Sequence, residues 1–193
     1  YNHGVHHPVW APDKAQDPAW QAAVGSETPD RTRYYDHYCR VLSWLGEHYG
    51  NKVSFLWLDS GYEHAKFADT PWERLTAAAK EGYPERLVCY NAGIANHLLY
   101  TPCQDYWAGE LCDLSFRPTA PLTPAGLPWY SLATWHRRHY ATVGEWGMTE
   151  RSRQFDWPPP PVAEVAALVQ AFQAVGGTVA FNLLVYQDGT LYP

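Results

Sequence analysis

The chain has 193 residues, of which 46% are hydrophobic and 18% charged, and its formal net charge is -6 at pH 7. This length and apolar content are typical of one globular domain and exclude a largely disordered chain. Nucleic acid is not an expected partner, because Lys and Arg form no cluster and the longest basic run is the pair at 137–138. No membrane association is predicted, because no apolar run approaches the ~20 residues that a membrane span needs.

Helical and strand-like patterns alternate along the first half of the chain. Apolar residues at three- and four-residue spacing predict helices, and short continuous apolar runs predict buried strands. In chain order, the predicted elements are a helix that Asp30 caps and that ends at Tyr49, a strand over 53–58, a helix from a Thr70 cap to Lys80, and a strand over 86–91.

Long loops rich in Pro, Thr and Gly interrupt the second half. The elements predicted there are a strand over 111–116, a helix over 129–139, a short strand or loop over 141–148, a helix over 162–175 and a strand over 178–186. Because apolar strands alternate with helices, we expect an α/β fold with a parallel sheet, either open and doubly wound or closed as a (β/α) barrel. No Gly-rich phosphate loop follows a strand, so no nucleotide cofactor is predicted.

Polar and aromatic residues stand at the carboxyl ends of the predicted strands, where parallel sheets bind ligands. Asp59 follows the strand inside SFLWLDSGYE, and Asn91 ends the strand RLVCYN. Capping of the next loop by Asp59, or backbone bonding by Asn91, is the structural alternative. The substrate-binding residues predicted at these strand ends are Trp57, Tyr62, Asn91 and Trp146.

Three histidines lie close together in the segment NHGVHHPVW, at His3, His6 and His7. Zinc sites take a defined set of three or four ligands, and no acid or cysteine stands near these histidines. A metal site is therefore the minor alternative. We expect the three histidines to hydrogen-bond a polyol substrate or to pack within the loop.

Aromatic residues make up 16% of the chain, with ten tryptophans and fourteen tyrosines, a content that suits the stacking of sugar rings. In the loop TPCQDYWAGE, two acids, Asp105 and Glu110, flank Trp107. Asp105 and Trp107 are further predicted substrate-binding residues. Two facing carboxyl groups, one ionised and one protonated, are the minimum for glycoside hydrolysis. A solvated acidic loop is the alternative interpretation.

Four motifs resemble those of the alpha-L-fucosidases of glycoside hydrolase family 29. WLDSG at 57–61 resembles the W-F-D-G strand end of that family, and QDYWAGE at 104–110 resembles its G-D-(F/Y)-x-T-P-E loop. GEWG at 144–147 is similar to its S-W-G-Y, and GGTVAFNLLVYQDG at 176–189 is similar to its closing G-G-N-(L)-L-L-N-x-(G)-P-x-x-D-G. The four motifs stand in the family's order over most of the chain.

The resemblance implies a (β/α)8 barrel of the TIM type. The chain matches about the third to the eighth strand, so the first two to three strands and the last helix are expected to lie outside it. A barrel needs all eight strands to close. We therefore expect a partial catalytic domain over 1–193, which is a fragment of a longer enzyme, is completed by a second chain, or has a rearranged fold.

Carried over by position, the resemblance implies that Asp59 is the nucleophile of a retaining mechanism and that Trp57 helps to line the sugar pocket. It implies Glu110 as the acid/base, with Asp105 and Glu145 as substitutes. Asp59 would attack the anomeric carbon while Glu110 protonates the leaving oxygen, and a water deprotonated by Glu110 would finish the hydrolysis. The predicted function is a retaining exo-glycosidase that hydrolyses terminal alpha-L-fucosyl or related glycosidic bonds and needs no cofactor. Its expected partner is a carbohydrate substrate.

Two other functions are compatible with the sequence. A non-catalytic carbohydrate-binding module, or a pseudoenzyme, would keep the aromatic residues without a complete catalytic site. A metal-dependent hydrolase would use the three N-terminal histidines. Two departures from the family pattern, Met148 in place of an aromatic residue and WLDS in place of W-F-D-G, affect the expected sugar specificity more than the reaction class.

Overall fold

The computed structural model describes residues 17–27, 30–111, 114–135, 148–149, 152, 160–183 and 185–191. The chain divides into two compact units. The first contains Tyr1–Gly93 and Leu98–Trp107, and the second contains Ile94–His97 and Ala108–Pro193. Within the described residues, no helix combines the length and the apolar character needed to cross a membrane.

Helices and strands alternate in the first unit. In chain order its elements are α1 (Pro18–Val24), α2 (Thr32–Tyr49), a 3-10 turn (Gly50–Lys52), β1 (Phe55–Leu58), α3 (Gly61–His64), α4 (Trp72–Ala79) and β2 (Leu87–Tyr90). The two helices and two strands predicted for this half of the chain are confirmed, with ends that differ by up to two residues.

The two predicted helix caps have different outcomes. The Asp30 carboxylate accepts a hydrogen bond from the backbone N–H of Thr32, the first residue of α2, at 2.9 Å. The cap predicted at Thr70 is wrong, because its hydroxyl instead donates to the carbonyl oxygen of His64 at 2.6 Å and no side chain caps α4. Thr70 therefore fixes the loop between α3 and α4.

Helix α1 was not predicted, although its ends carry ordinary signals. The Asp17 carboxylate accepts from the N–H of Ala19 at 2.9 Å, and Pro18 occupies the first helical position. Gly25 ends the helix in the left-handed conformation, with a φ of 79°.

Strands β1 and β2 pair in parallel, with Phe55 opposite Leu87 and Leu58 opposite Tyr90. One face of the pair packs on α2 and α4, and fully burying a side chain there stabilises the fold by ~1.5–3 kcal/mol. Since side chains alternate along a strand, Trp57 and Asp59 lie on the opposite side from Leu58. The core residues that are 0% exposed are Tyr34, Tyr38, Leu42, Leu58, Leu75, Ala79 and Val88.

Arg86 is buried where the carboxyl-terminal ends of α2 and α4 meet, and it is only 1% exposed. Its guanidinium group has five N–H donors, and each finds a backbone carbonyl. In the described part of the chain no carboxylate pairs with it. The acceptors are the carbonyl oxygens of Val53 (2.8 Å), Ala79 (2.6 Å), Glu81 (3.0 Å), Gly46 (3.1 Å) and Gly50 (2.6 Å).

In its described residues, the second unit contains two parallel strand pairs and one helix. Its elements are β3 (Tyr130–Thr134), β4 (Met148–Thr149), α5 (Val162–Ala174), β5 (Thr178–Asn182) and β6 (Val185–Tyr186). β3 pairs with β5, and β4 pairs with β6. The predicted helix over 162–175 is confirmed as α5, which buries Leu168 and Phe172 completely.

Three predicted elements of the second half are corrected. The helix predicted over 129–139 is wrong in its described part, because Tyr130–Thr134 is strand β3, which pairs with β5 along one edge. The strand predicted over 111–116 is absent from its described residues. The strand predicted over 178–186 is two strands, β5 and β6, and its residues are half-buried or exposed rather than buried.

All strand pairs in the described residues are parallel, as the alternation of strands and helices predicts, and they form three two-stranded sheets. The (β/α)8 barrel stays a prediction.

Candidate active site

Asp59 stands at the carboxyl end of β1, directly after Leu58, which is 0% exposed. The Asp59 side chain is half-buried. Its Oδ1 accepts a hydrogen bond from the N–H of Ser60 at 2.8 Å and another from the Asn91 side-chain amide at 2.9 Å. Because two donors hold one oxygen, the carboxylate has a fixed orientation at the end of the strand.

Asn91 joins the ends of β1 and β2, and it is 1% exposed. Its backbone N–H donates to the carbonyl of Leu58 at 2.8 Å, and its own carbonyl accepts from Tyr62 at 3.0 Å. Its side-chain oxygen accepts from the N–H of Gly93 at 2.8 Å, which leaves the side-chain amide aimed at Asp59. Asn91 is therefore a positioning residue for the carboxylate.

A tight turn follows Asp59. Ser60 is 1% exposed and adopts the left-handed conformation, with a φ of 64°, which is unusual for a residue with a Cβ. Gly61 passes so close to β2 that a Cβ there would lie 2.6 Å from the Asn91 carbonyl oxygen. Non-glycine residues in the left-handed conformation, such as Ser60, cluster at functional sites and cost ~1–3 kcal/mol each.

The turn was predicted, but its conformation was not. A Ser-Gly pair after an apolar strand is a turn signal, so the chain reversal at Ser60 and Gly61 can be inferred from sequence. The left-handed Ser60 is followed by the close approach of Gly61 to Asn91, which lies 30 positions later in the chain, and no local sequence pattern indicates that contact.

Two predicted substrate-binding residues flank the Asp59 carboxylate along the chain. Trp57 is half-buried and two residues before Asp59, so both side chains project from the same face of β1. Tyr62 is also half-buried, and its backbone bond to Asn91 holds the start of α3 against the end of β2. Asp59, Asn91 and Tyr62 are thus brought together by this strand pair.

Asp105, in contrast, lies beside β2 at Val88, three positions before Asn91. Its carboxylate accepts from the N–H of Val88 at 2.8 Å and forms an ion pair with Lys80 at 2.9 Å. Its own N–H donates to the Val88 carbonyl at 2.8 Å. These contacts cover the edge of β2, a structural role that the acidic loop did not indicate.

The remaining predicted residues of this loop differ in exposure. Trp107 is 1% exposed, so its ring is an interior packing group. Glu110 belongs to the second unit, where its backbone forms a parallel bridge with Leu132 and its side chain is half-buried. Gly109 before it has a φ of 57°, and a Cβ there would collide with the Tyr130 carbonyl oxygen.

No family model and no curated protein matches the chain by sequence. Two solved structures share its fold, the endo-fucoidan hydrolases MfFcnA9 and MfFcnA4 from glycoside hydrolase family 107. The TM-scores are 0.58 and 0.57, at 14% and 11% sequence identity. Each alignment covers 92% of this chain, but only 38% and 32% of the respective neighbours.

This likeness is one of fold, to a part of two glycoside hydrolases. At these sequence identities the likeness shows the fold alone, and it does not single out family 29. The chain spans about a third of each neighbour's length.

Four other predicted residues, His3, His6, His7 and Trp146, lie outside the described residues. Within the part of the chain that the structure describes, no group of three or more His, Cys, Asp or Glu side chains is arranged to hold a metal ion.

Proposed function

We propose that this chain carries the nucleophile of a retaining glycoside hydrolase that cleaves alpha-L-fucosyl bonds. The observation that supports the proposal most is the Asp59 carboxylate, held by Ser60 and Asn91 at the carboxyl end of a parallel strand pair. Catalytic groups of parallel α/β folds stand at this end of the sheet.

In the proposed mechanism, an Asp59 oxygen attacks the anomeric carbon and the bond from that carbon to the leaving oxygen breaks. A second carboxylic acid is proposed to donate its proton to the leaving oxygen. The same residue then takes a proton from water, whose oxygen attacks the anomeric carbon of the glycosyl ester and frees Asp59. The two displacements restore the original anomeric configuration.

The sugar is proposed from two independent indications. The motifs resemble those of alpha-L-fucosidases, and the two fold neighbours are endo-fucoidan hydrolases by name. Both indications point to a fucose-containing substrate, although the first implies cleavage of a terminal unit and the second cleavage within a chain.

The decisive experiment measures the protein with an aryl alpha-L-fucoside and with fucoidan, by phenol release and by new reducing ends. NMR of the first product formed is expected to show the alpha anomer, because two displacements retain configuration. An inverted first product would contradict the role of Asp59 as a nucleophile. Binding of fucoidan without hydrolysis would favour the carbohydrate-binding module or pseudoenzyme instead.

Replacing Asn91 by alanine is expected to lower kcat on the aryl fucoside by roughly 10- to 100-fold, because the nucleophile loses one of its two orienting donors. KM is expected to change much less, since Asn91 acts through Asp59 and not on the sugar. Steady-state kinetics of Asn91→Ala and of the exposed control Asn51→Ala test this. A roughly 10- to 100-fold rise in KM with unchanged kcat would instead assign Asn91 to substrate binding.

A further inference from the structure

A cavity of the first unit, of about 370 Å³, lies between the start of α4 and the loop at 100–102. This volume is within the ~300–1,000 Å³ range of small-ligand sites. The residues of this cavity used below are Trp72, Glu73, Arg74 and Tyr100. None of them was predicted from sequence as a site residue.

Two aromatic rings form part of the lining. Trp72 and Tyr100 are both half-buried, and their rings lie parallel within 7°, with centroids 6.1 Å apart. Trp72 is fixed from behind by an edge contact with Tyr90, at a centroid distance of 4.8 Å. Rigid aromatic surfaces of this kind bind the apolar faces of sugar rings at low entropic cost.

The cavity adjoins the strand end that carries the candidate nucleophile. The Tyr100 hydroxyl donates to the carbonyl oxygen of Ala92 at 3.5 Å. Ala92 directly follows Asn91, whose side chain holds Asp59. The Tyr100 hydroxyl thus ties the loop at 100–102 to the residue that follows Asn91.

The charges of the cavity favour a sugar unit without an anionic group. The Arg74 guanidinium is paired with Asp36, so its charge is already compensated. Glu73 is exposed, and it has no hydrogen-bond or ion-pair partner among the described residues. A carboxylate accepts hydrogen bonds from sugar hydroxyls but repels a sulfate group.

We propose that this cavity is a second sugar subsite, which binds an uncharged unit of a saccharide chain whose neighbouring unit occupies the Asp59 site. The inference rests on the proposed function, because it takes the substrate to be a fucose-containing chain. It assigns the cavity to recognition of an extended substrate rather than of a single terminal sugar.

The test uses the Asp59→Asn variant, so that ligands are bound but not consumed. Calorimetry with a desulfated fucoidan tetrasaccharide and with L-fucose compares this parent with a second substitution, Tyr100→Leu. Tetrasaccharide affinity is expected to fall about 10-fold, corresponding to the loss of one sugar–aromatic contact. Affinity for L-fucose is expected to stay within about twofold, because one sugar fills only the Asp59 site.

Three further variants make the result specific. Tyr100→Phe keeps the ring and is expected to retain tetrasaccharide affinity. Tyr49→Leu removes an exposed tyrosine that does not line the cavity and is expected to have no effect. Glu73→Ala, at an exposed position, is expected to weaken tetrasaccharide binding about threefold, and it decides the question if Tyr100→Leu does not fold.

Unchanged tetrasaccharide affinity in both Tyr100→Leu and Glu73→Ala would overturn the subsite, as would an equal loss for L-fucose in folded Tyr100→Leu. A fully sulfated tetrasaccharide that binds more tightly than the desulfated one would overturn its preference for an uncharged unit. If the wild type hydrolyses no fucosyl bond but these binding differences are found, the subsite stands and the proposed catalysis fails. If the wild type hydrolyses fucosyl bonds but the variants bind like the parent, the proposed catalysis stands and the subsite fails.

Discussion

An Asp59→Gly variant is expected to hydrolyse an aryl alpha-L-fucoside roughly 10⁴- to 10⁶-fold more slowly than the wild type, the range found when a catalytic nucleophile or its partner is removed. Glycine leaves no atom that can form the glycosyl ester. It also leaves space at the end of β1 for a small anion.

The second part of this prediction concerns the rescue of Asp59→Gly activity by an added anion. Added azide is expected to restore measurable phenol release and to yield the fucosyl azide of inverted, beta configuration, because azide replaces the carboxylate in a single displacement. The matched control is Asp69→Gly, which removes an exposed acid from the loop between α3 and α4. If Asp59→Gly hydrolyses the aryl fucoside at more than a tenth of the wild-type rate, Asp59 is not the nucleophile and another acid must serve.

The position of the candidate site can be read from the sequence because it depends on one general property of parallel sheets. Asp59 and Asn91 each follow a short apolar strand, and parallel strands place their carboxyl ends along one edge. Their hydrogen bond at 2.9 Å is a direct result of that register. The structural role of the acidic loop could not be predicted, because nothing in its sequence indicates that the Asp105 carboxylate bonds Val88 and Lys80.

The sequence pattern mispredicted β3 as part of a helix, because pairing with distant segments of the chain determines its conformation. The segment YSLAT, β3, has apolar positions compatible with both periods, and short apolar runs of this kind are ambiguous. Its backbone groups pair with β5 on one edge and with Gly109 and Glu110 on the other. Helix α1, by contrast, was predictable from its Asp17 cap and Gly25 end.

Arg86→Met is expected to lower the free energy of unfolding by about 3–5 kcal/mol, the cost of breaking a buried charged network. Methionine fills much of the space but donates no hydrogen bond. Five backbone carbonyls, at the ends of α2 and α4 and before β1, lose a donor. Two of these bonds, to Ala79 and Gly46, are buried, and a hydrogen bond to a charged group contributes ~1.5–3 kcal/mol.

Thermal unfolding followed by circular dichroism measures this effect, and the midpoint is expected to fall by roughly 10 °C. Arg86→Lys retains the charge with three donors instead of five, so a substantial loss is expected there too. The exposed Arg40→Met serves as the control and is expected to change stability by less than ~0.5 kcal/mol. A wild-type midpoint for Arg86→Met would show that packing alone holds the two helix ends together.

The acceptors of Arg86 also determine how the first unit responds to acid and to salt. Surface pairs such as Lys66 with Glu63 weaken when the carboxylate is protonated or when salt screens the charges. Peptide carbonyls do not titrate in acidic solution. Burial lowers the pKa of the Arg86 guanidinium, but acid favours its protonated, charged form. The junction of α2, α4 and β1 therefore keeps all five bonds in acidic or saline surroundings that loosen the surface of the same unit.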